Sequence, residues 1–283
     1  MSEWMVIEYI GYVICVTSVW VYLFKGFSFT FLCLAMFFPF LCVFPFLISN
    51  AMEEEEKAKY FEHLWSFSFE IILETFFGGI LDIIIVFNAV FISYVLNWTR
   101  SPPPSSSSSS SFSWTNWVIY DGLLGFVRAA GEEAGWRCFL LPLLISYFSS
   151  SSLSLSPSSH PMSSLFWATM VIGNVWGMYH IPIMVLLSHS LPSKTASRTI
   201  FFQYLSCVLL SFPYTFIAVR SNFSLFPSAF MHFFWNRLNP YVLGSVYTQK
   251  GGIYGGERWK VNGEGAAGCM SAVMVSIVLM SLI

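Results

Sequence analysis

Three short stretches of this chain hold residue types that do chemistry, at spacings that matter. "EEAGWR" (132–137) sets two adjacent carboxylates ahead of an arginine, "WGMYH" (176–180) sets an indole four residues before an imidazole, and "HFFWN" (232–236) sets an imidazole four residues before an amide. A step of four puts both members of a pair on one helix face. Glu133 therefore meets Arg137, Arg128 meets Glu132, Trp176 meets His180, and His232 meets Asn236. Glu132 lies about 100° around the helix from Glu133, so it does not share Arg137 and is free to serve as a base. A carboxylate that takes a proton from water and a neutral imidazole that holds that water make a nucleophile. A second imidazole and an amide N–H donate to a developing oxyanion. Together these are the parts needed to hydrolyse an amide without a covalent intermediate.

A Glu/His/His set also has the donor types of a zinc site, but the HExxH spacing of soluble metalloproteases is absent. The expectation is no metal and no other cofactor, with zinc as the alternative. His63, His160 and His189 fall in loops or at interfaces and are assigned no role. The six cysteines are scattered singly, with no CxxC pair, which excludes a zinc ribbon or a disulfide scaffold and fits small buried apolar residues.

The elements that must position these groups are set by lipid. The chain is 56% hydrophobic and only 10% charged, against about 25% charged in soluble domains, and the net charge of −2 carries no nucleic-acid signature. About 20 apolar residues cross a bilayer as a helix. On that measure spans are expected at Met5–Phe24, Thr30–Ser49 (carrying Pro39 and Pro45), Gly78–Leu96, Leu165–Leu187, Thr199–Val219, Phe223–Val246 and Ala266–Ile283. "EEEEKAKYFEHLWSFSFEIILETFF" reads as a helix that starts in water and dips inward along the interface. Trp114–Phe148 reads as an interfacial helix entering a further span. The fold expected is all-α, a polytopic transmembrane helical bundle of about eight spans.

Residues 1–100 form the N-terminal membrane helices and the interfacial helix. Residues 101–113, "SPPPSSSSSSSFS", are a Ser/Pro-rich disordered loop, and 114–283 form the catalytic membrane core, interrupted by a Ser-rich spacer at 149–164. A charged residue at mid-membrane costs roughly 2.5–3.5 kcal/mol on insertion scales. Groups from three separate spans avoid that cost by pairing and by converging on a common, water-accessible interior. Glu132, His180, His232 and Asn236 are the candidate catalytic set, supported by Glu133, Arg137 and Trp176.

The three motifs, in this order and each in a predicted span, resemble those of the CPBP intramembrane protease family, which includes the prenyl-protein (CAAX) endopeptidases. The resemblance covers roughly residues 117–270, including a late "NGEGAAG" (262–268) similar to a Gly-Glu element that follows the third motif in the family. The run "GEEAGWRCFLLP" (131–142) is closest to the bacterial-type branch, and Trp176 stands where the family mostly has Phe. The resemblance implies a helical core in which Glu132 is the general base for a water also held by His180. His232 and Asn236 would form the oxyanion hole, with Glu133 and Arg137 as a brace. The family has been discussed as metalloendopeptidase-like. The implied partners are the lipid bilayer and a membrane-associated protein or peptide substrate, prenylated in the CAAX members, with no nucleic acid. The expected place is an integral, multi-pass position in a membrane, in the endoplasmic reticulum or another internal membrane if the source is eukaryotic. Two other functions use the same residues. One is a catalytically silent binding or chaperone protein. The other is a proton-coupled transporter, motivated by Asp82, Glu132 and Glu133 within spans and disfavoured by the lack of an internal repeat.

Overall fold

Helices dominate because apolar side chains in lipid leave the backbone no other partner than itself. The computed structural model describes residues 3–26, 32–100, 122–150, 160–189, 193–247 and 251–282. Helix α1 (Glu3–Leu23) is followed by three short turns, a 3-10 segment (Cys33–Phe37), α2 (Phe38–Leu41) and α3 (Phe44–Ile48). Then come α4 (Glu54–Trp65), α5 (Phe69–Val95), α6 (Leu124–Gly135), a π turn (Trp136–Leu140) and α7 (Leu141–Ser150). The chain continues through α8 (His160–Ser188), α9 (Ser193–Arg220), α10 (Leu225–Leu243), α11 (Arg258–Val261) and α12 (Ala266–Met280). A two-residue antiparallel pairing of Thr99–Arg100 with Gly255–Gly256 ties the end of α5 to the approach to α11.

Among the described residues five helical stretches are long and apolar enough to cross a membrane: Trp4–Leu23, Phe69–Val95, Met162–Ser188, Lys194–Arg220 and Arg258–Met280. The protein is an integral, multi-pass membrane protein. Large apolar side chains such as Ile80, Phe87 and Phe91 are exposed along α5, as a helix facing lipid requires. The stretches 124–150 and 225–243 are as long, but they carry the polar residues singled out above, and that lowers their apolarity.

Two expectations change. Thr30–Ser49 is not one spanning helix: Pro39 and Pro45 each begin a new short helix, because proline has no N–H to extend the turn before it. The interfacial stretch ends at Trp65, where Ser66 caps α4 through a bond to the Glu62 carbonyl. A new helix starts when the Ser68 hydroxyl accepts the Ile71 N–H at 3.2 Å, so the third span begins at Phe69 and not at Gly78. The serine loop at 101–113 lies outside the described residues. The described ends of the second loop are helical, residues 149–150 closing α7 and 160–164 opening α8.

The core forms where α10 packs on α5 and α6, α9 on α8 and α12, and the broken segment 33–48 on α6. Small residues permit two of these contacts. A Cβ on Gly135 would sit 2.4 Å from both the Pro39 backbone and the Tyr9 hydroxyl, and one on Gly177 would sit 2.6 Å from the Tyr204 ring. Each glycine lies four residues after another, Gly131 and Gly173, and forms the small-xxx-small stripe through which membrane helices approach closely.

Candidate active site

The acid motif sits where the helix changes pitch. The Trp136 N–H is shared between the Glu132 and Glu133 carbonyls, and the Leu141 N–H reaches back five residues to the Trp136 carbonyl. Such π turns widen the helix and are frequent at functional sites. Pro142, lacking an N–H, cannot satisfy the Cys138 carbonyl in the α-helical pattern. The His63 Nδ1 takes its place at 3.2 Å, and because a carbonyl only accepts, Nδ1 is the donor. His63 thus has a structural role that its position in the sequence does not reveal.

The wide turn sends Glu132 and Glu133 to different partners. Glu133 Oε1 receives Arg137 Nη1 at 3.2 Å and His232 Nδ1 at 2.7 Å, with Arg137 and Glu133 fully buried. Glu132 Oε2 accepts the Trp176 indole N–H at 2.9 Å. Trp176 is the hub of the site: its carbonyl lies 2.8 Å from His180 Nδ1, its ring meets the His232 ring edge-on at 5.6 Å, and the Arg137 guanidinium lies 4.7 Å from its centroid. Tyr214 closes the arrangement from α9. It stands edge-on to His232 at 6.0 Å, with Arg137 at 4.9 Å from its ring.

These bonds fix proton positions. His180 Nδ1 faces a carbonyl and must donate, which leaves Nε2 of the neutral ring as an acceptor. His232 Nδ1 faces a carboxylate already paired with Arg137 and donates to it. His232 offers a second N–H at Nε2 only as the imidazolium, the form that the Glu133 carboxylate favours.

Glu132, Trp176, His180, His232 and Asn236 all line one cavity of about 390 Å³. Glu132 acts electrostatically on both imidazoles. Arg128 also lines this cavity, and no ion pair joins it to Glu132, although the two share a helix face. Apolar side chains complete the wall, among them Ala35 and Met36 from the broken segment, Ile183, Leu210 and Phe233. Sequence spacing did not point to Tyr214, Cys207, Tyr247 or Glu264, which face the same site from α9, the 245–247 turn and the loop before α12; only the Gly-Glu element gave a sign of the last.

Among the described residues no group of three His, Cys, Asp or Glu side chains is placed to hold a metal ion. Each imidazole commits Nδ1 to a carbonyl or carboxylate and leaves Nε2 open, and one of the two adjacent carboxylates is held by Arg137.

Residues 113–238 match the family model of the type II CAAX prenyl endopeptidases, Rce1-like. The matched segment contains the three motifs and ends before the Gly-Glu element. It agrees with the resemblance carried by those motifs and does not extend to the bacterial-type branch. Among curated proteins no relative matches the chain.

Proposed function

From the CAAX-type endopeptidase family of residues 113–238, we propose that the protein is an intramembrane endopeptidase that hydrolyses a peptide bond of a membrane-associated protein or peptide, using water activated by Glu132 and His180. The observation that carries the reading is the convergence of Glu132, His180, His232 and Asn236 on one cavity, with their hydrogen-bonding atoms sorted into acceptors and donors.

Water bound between the free Glu132 oxygen and His180 Nε2 gives one proton to each acceptor and turns a lone pair toward the substrate carbonyl. Glu132 takes the proton as the oxygen attacks the carbonyl carbon, a step worth roughly 10²–10⁴-fold in rate. His232, as imidazolium, and the Asn236 amide donate to the oxyanion, where each donor of this kind is worth roughly 10²–10³-fold. Collapse of the tetrahedral intermediate breaks the C–N bond, and the proton on Glu132 passes to the leaving nitrogen. Glu133 and Arg137 hold His232 in place. The apolar wall from the broken segment 33–48 suits an aliphatic or lipid-bearing substrate.

The test is direct. The purified protein, reconstituted in phospholipid vesicles, is given a prenylated peptide and its unprenylated counterpart, and products are identified by mass. Release of a carboxyl-terminal fragment by hydrolysis at one bond supports the reading. Intact peptide, with protein shown to be folded, overturns it in favour of a silent binding role.

A further inference from the structure

The short segment "NGEGAAG" (262–268) is built with more care than a helix start needs. The Asn262 side chain donates to the Gly244 carbonyl at 2.6 Å and accepts the Glu264 N–H at 2.9 Å. The Asn239 side chain accepts the Gly263 N–H at 3.1 Å. A Cβ on Gly268 would fall 1.7 Å from the Gly263 carbonyl oxygen, so the first turn of α12 closes onto this loop with no space for any other residue. All of this holds one side chain, Glu264, in the cavity wall. Among the described residues no cation pairs with Glu264; the Trp235 and Asn239 side chains flank its carboxyl, and its Oε2 has no hydrogen-bond partner.

Glu264 lines the same cavity as Glu132. Cys207 and Tyr247 line this cavity with both carboxylates, and Cys207 Sγ lies 3.7 Å from His180 Nδ1. His232 interacts with Glu264 as well. The cavity thus carries two carboxylates and two imidazoles, and activation of water uses one carboxylate.

Peptide hydrolysis makes a charge that the second would receive. The nitrogen released from the C–N bond keeps its own hydrogen, gains the proton carried by Glu132 and takes a third from solvent, because an α-amino group is mostly protonated at neutral pH. We infer that Glu264 binds the amino group of the leaving peptide. This rests on the endopeptidase reading for its chemistry, while the binding it requires is measurable without turnover.

The probe is an aliphatic tripeptide, valyl-isoleucyl-alanine, with a free amino terminus, compared with its N-acetyl form. Binding is measured by calorimetry on the full-length protein in detergent. Wild type is expected to bind the free amine about tenfold tighter than the acetylated form, the worth of one charge-assisted hydrogen bond. Glu264→Gln brings the ratio to about one, Glu264→Asp keeps part of the preference, and Glu132→Gln keeps it in full. No preference in wild type, or an undiminished preference in Glu264→Gln, overturns the inference. If Glu264→Gln does not fold, the wild-type ratio and Glu264→Asp decide, and an undiminished preference in Glu264→Asp counts against a site built at that reach. A clear amine preference in a protein that cleaves no peptide would sink the endopeptidase reading and leave the amine site standing.

Discussion

The buried triad of Arg137, Glu133 and His232 invites a double-mutant cycle. Glu133 accepts from both partners through one oxygen, and the Arg137 and Glu133 side chains have no exposed surface. Glu133→Leu leaves Arg137 as a buried cation held only by the faces of Trp176 and Tyr214. Such an orphaned charge costs roughly 3–5 kcal/mol. At roughly 2 °C per kcal/mol for a chain of this size, the melting temperature in detergent falls by roughly 6–10 °C. Arg137→Met costs less, because Glu133 keeps His232. The double variant Glu133→Leu/Arg137→Met removes both charges and recovers about 3 kcal/mol of the sum of the single losses, since apolar replacement of a buried pair is often neutral. Hydrolysis does not recover with it. Without the Glu133 carboxylate His232 has no reason to carry both protons, and turnover stays down by roughly 10²–10³-fold. Thermal unfolding and peptide turnover on all four proteins separate brace from chemistry. Additive stability losses would refute the buried pair, and a double variant with wild-type turnover would refute the role given to His232.

Asn236→Ala removes a proposed oxyanion donor and is expected to lower kcat by roughly 10²–10³-fold with little change in KM, read from steady-state kinetics in vesicles. Gly135→Ala forces a methyl into the Pro39 backbone and the Tyr9 hydroxyl and should destabilise by roughly 1–3 kcal/mol, seen as a lower melting temperature. Burial holds the His63 pKa below its ordinary 6.5, so the unfolded chain binds the proton more readily. Stability from this residue is intact above about pH 6.5 and declines as pH falls toward the lower folded value. Melting curves between about pH 7.5 and about pH 5.5 should show that decline, and His63→Leu should flatten it.

The parts of the site that spacing alone can specify were legible. Glu133 and Arg137, four residues apart, do pair, and Trp176 and His180 do share a face. The convergence of three helices on one cavity followed from the cost of leaving Glu132, His180 and His232 in lipid. What spacing cannot specify is contact between helices. That the Trp176 indole would donate to Glu132, or that Tyr214 would wall His232, depends on how α6, α8, α9 and α10 cross. The small-xxx-small pairs Gly131/Gly135 and Gly173/Gly177 were visible signals of close crossings beside the site. Hydrophobicity alone suggests one span over Thr30–Ser49, whereas Pro39 and Pro45 divide it into short helices. The broken backbone is tolerated at that depth because it packs against α6 and lines the cavity instead of facing lipid. The bond from His63 to Cys138 was foreshadowed only by Pro142, which removes the donor that carbonyl would otherwise have.

The central claim is that one carboxylate, Glu132, activates water for peptide hydrolysis. The measurement closest to it compares turnover of a prenylated peptide by wild type and Glu132→Gln in the same vesicle preparation. Glutamine keeps an acceptor for the Trp176 indole N–H, so the melting temperature should stay within about 2 °C, equivalent to roughly 1 kcal/mol. It cannot take a proton from water, so turnover should fall by roughly 10²–10⁴-fold. A folded Glu132→Gln protein that cleaves the peptide at the wild-type rate would contradict the account.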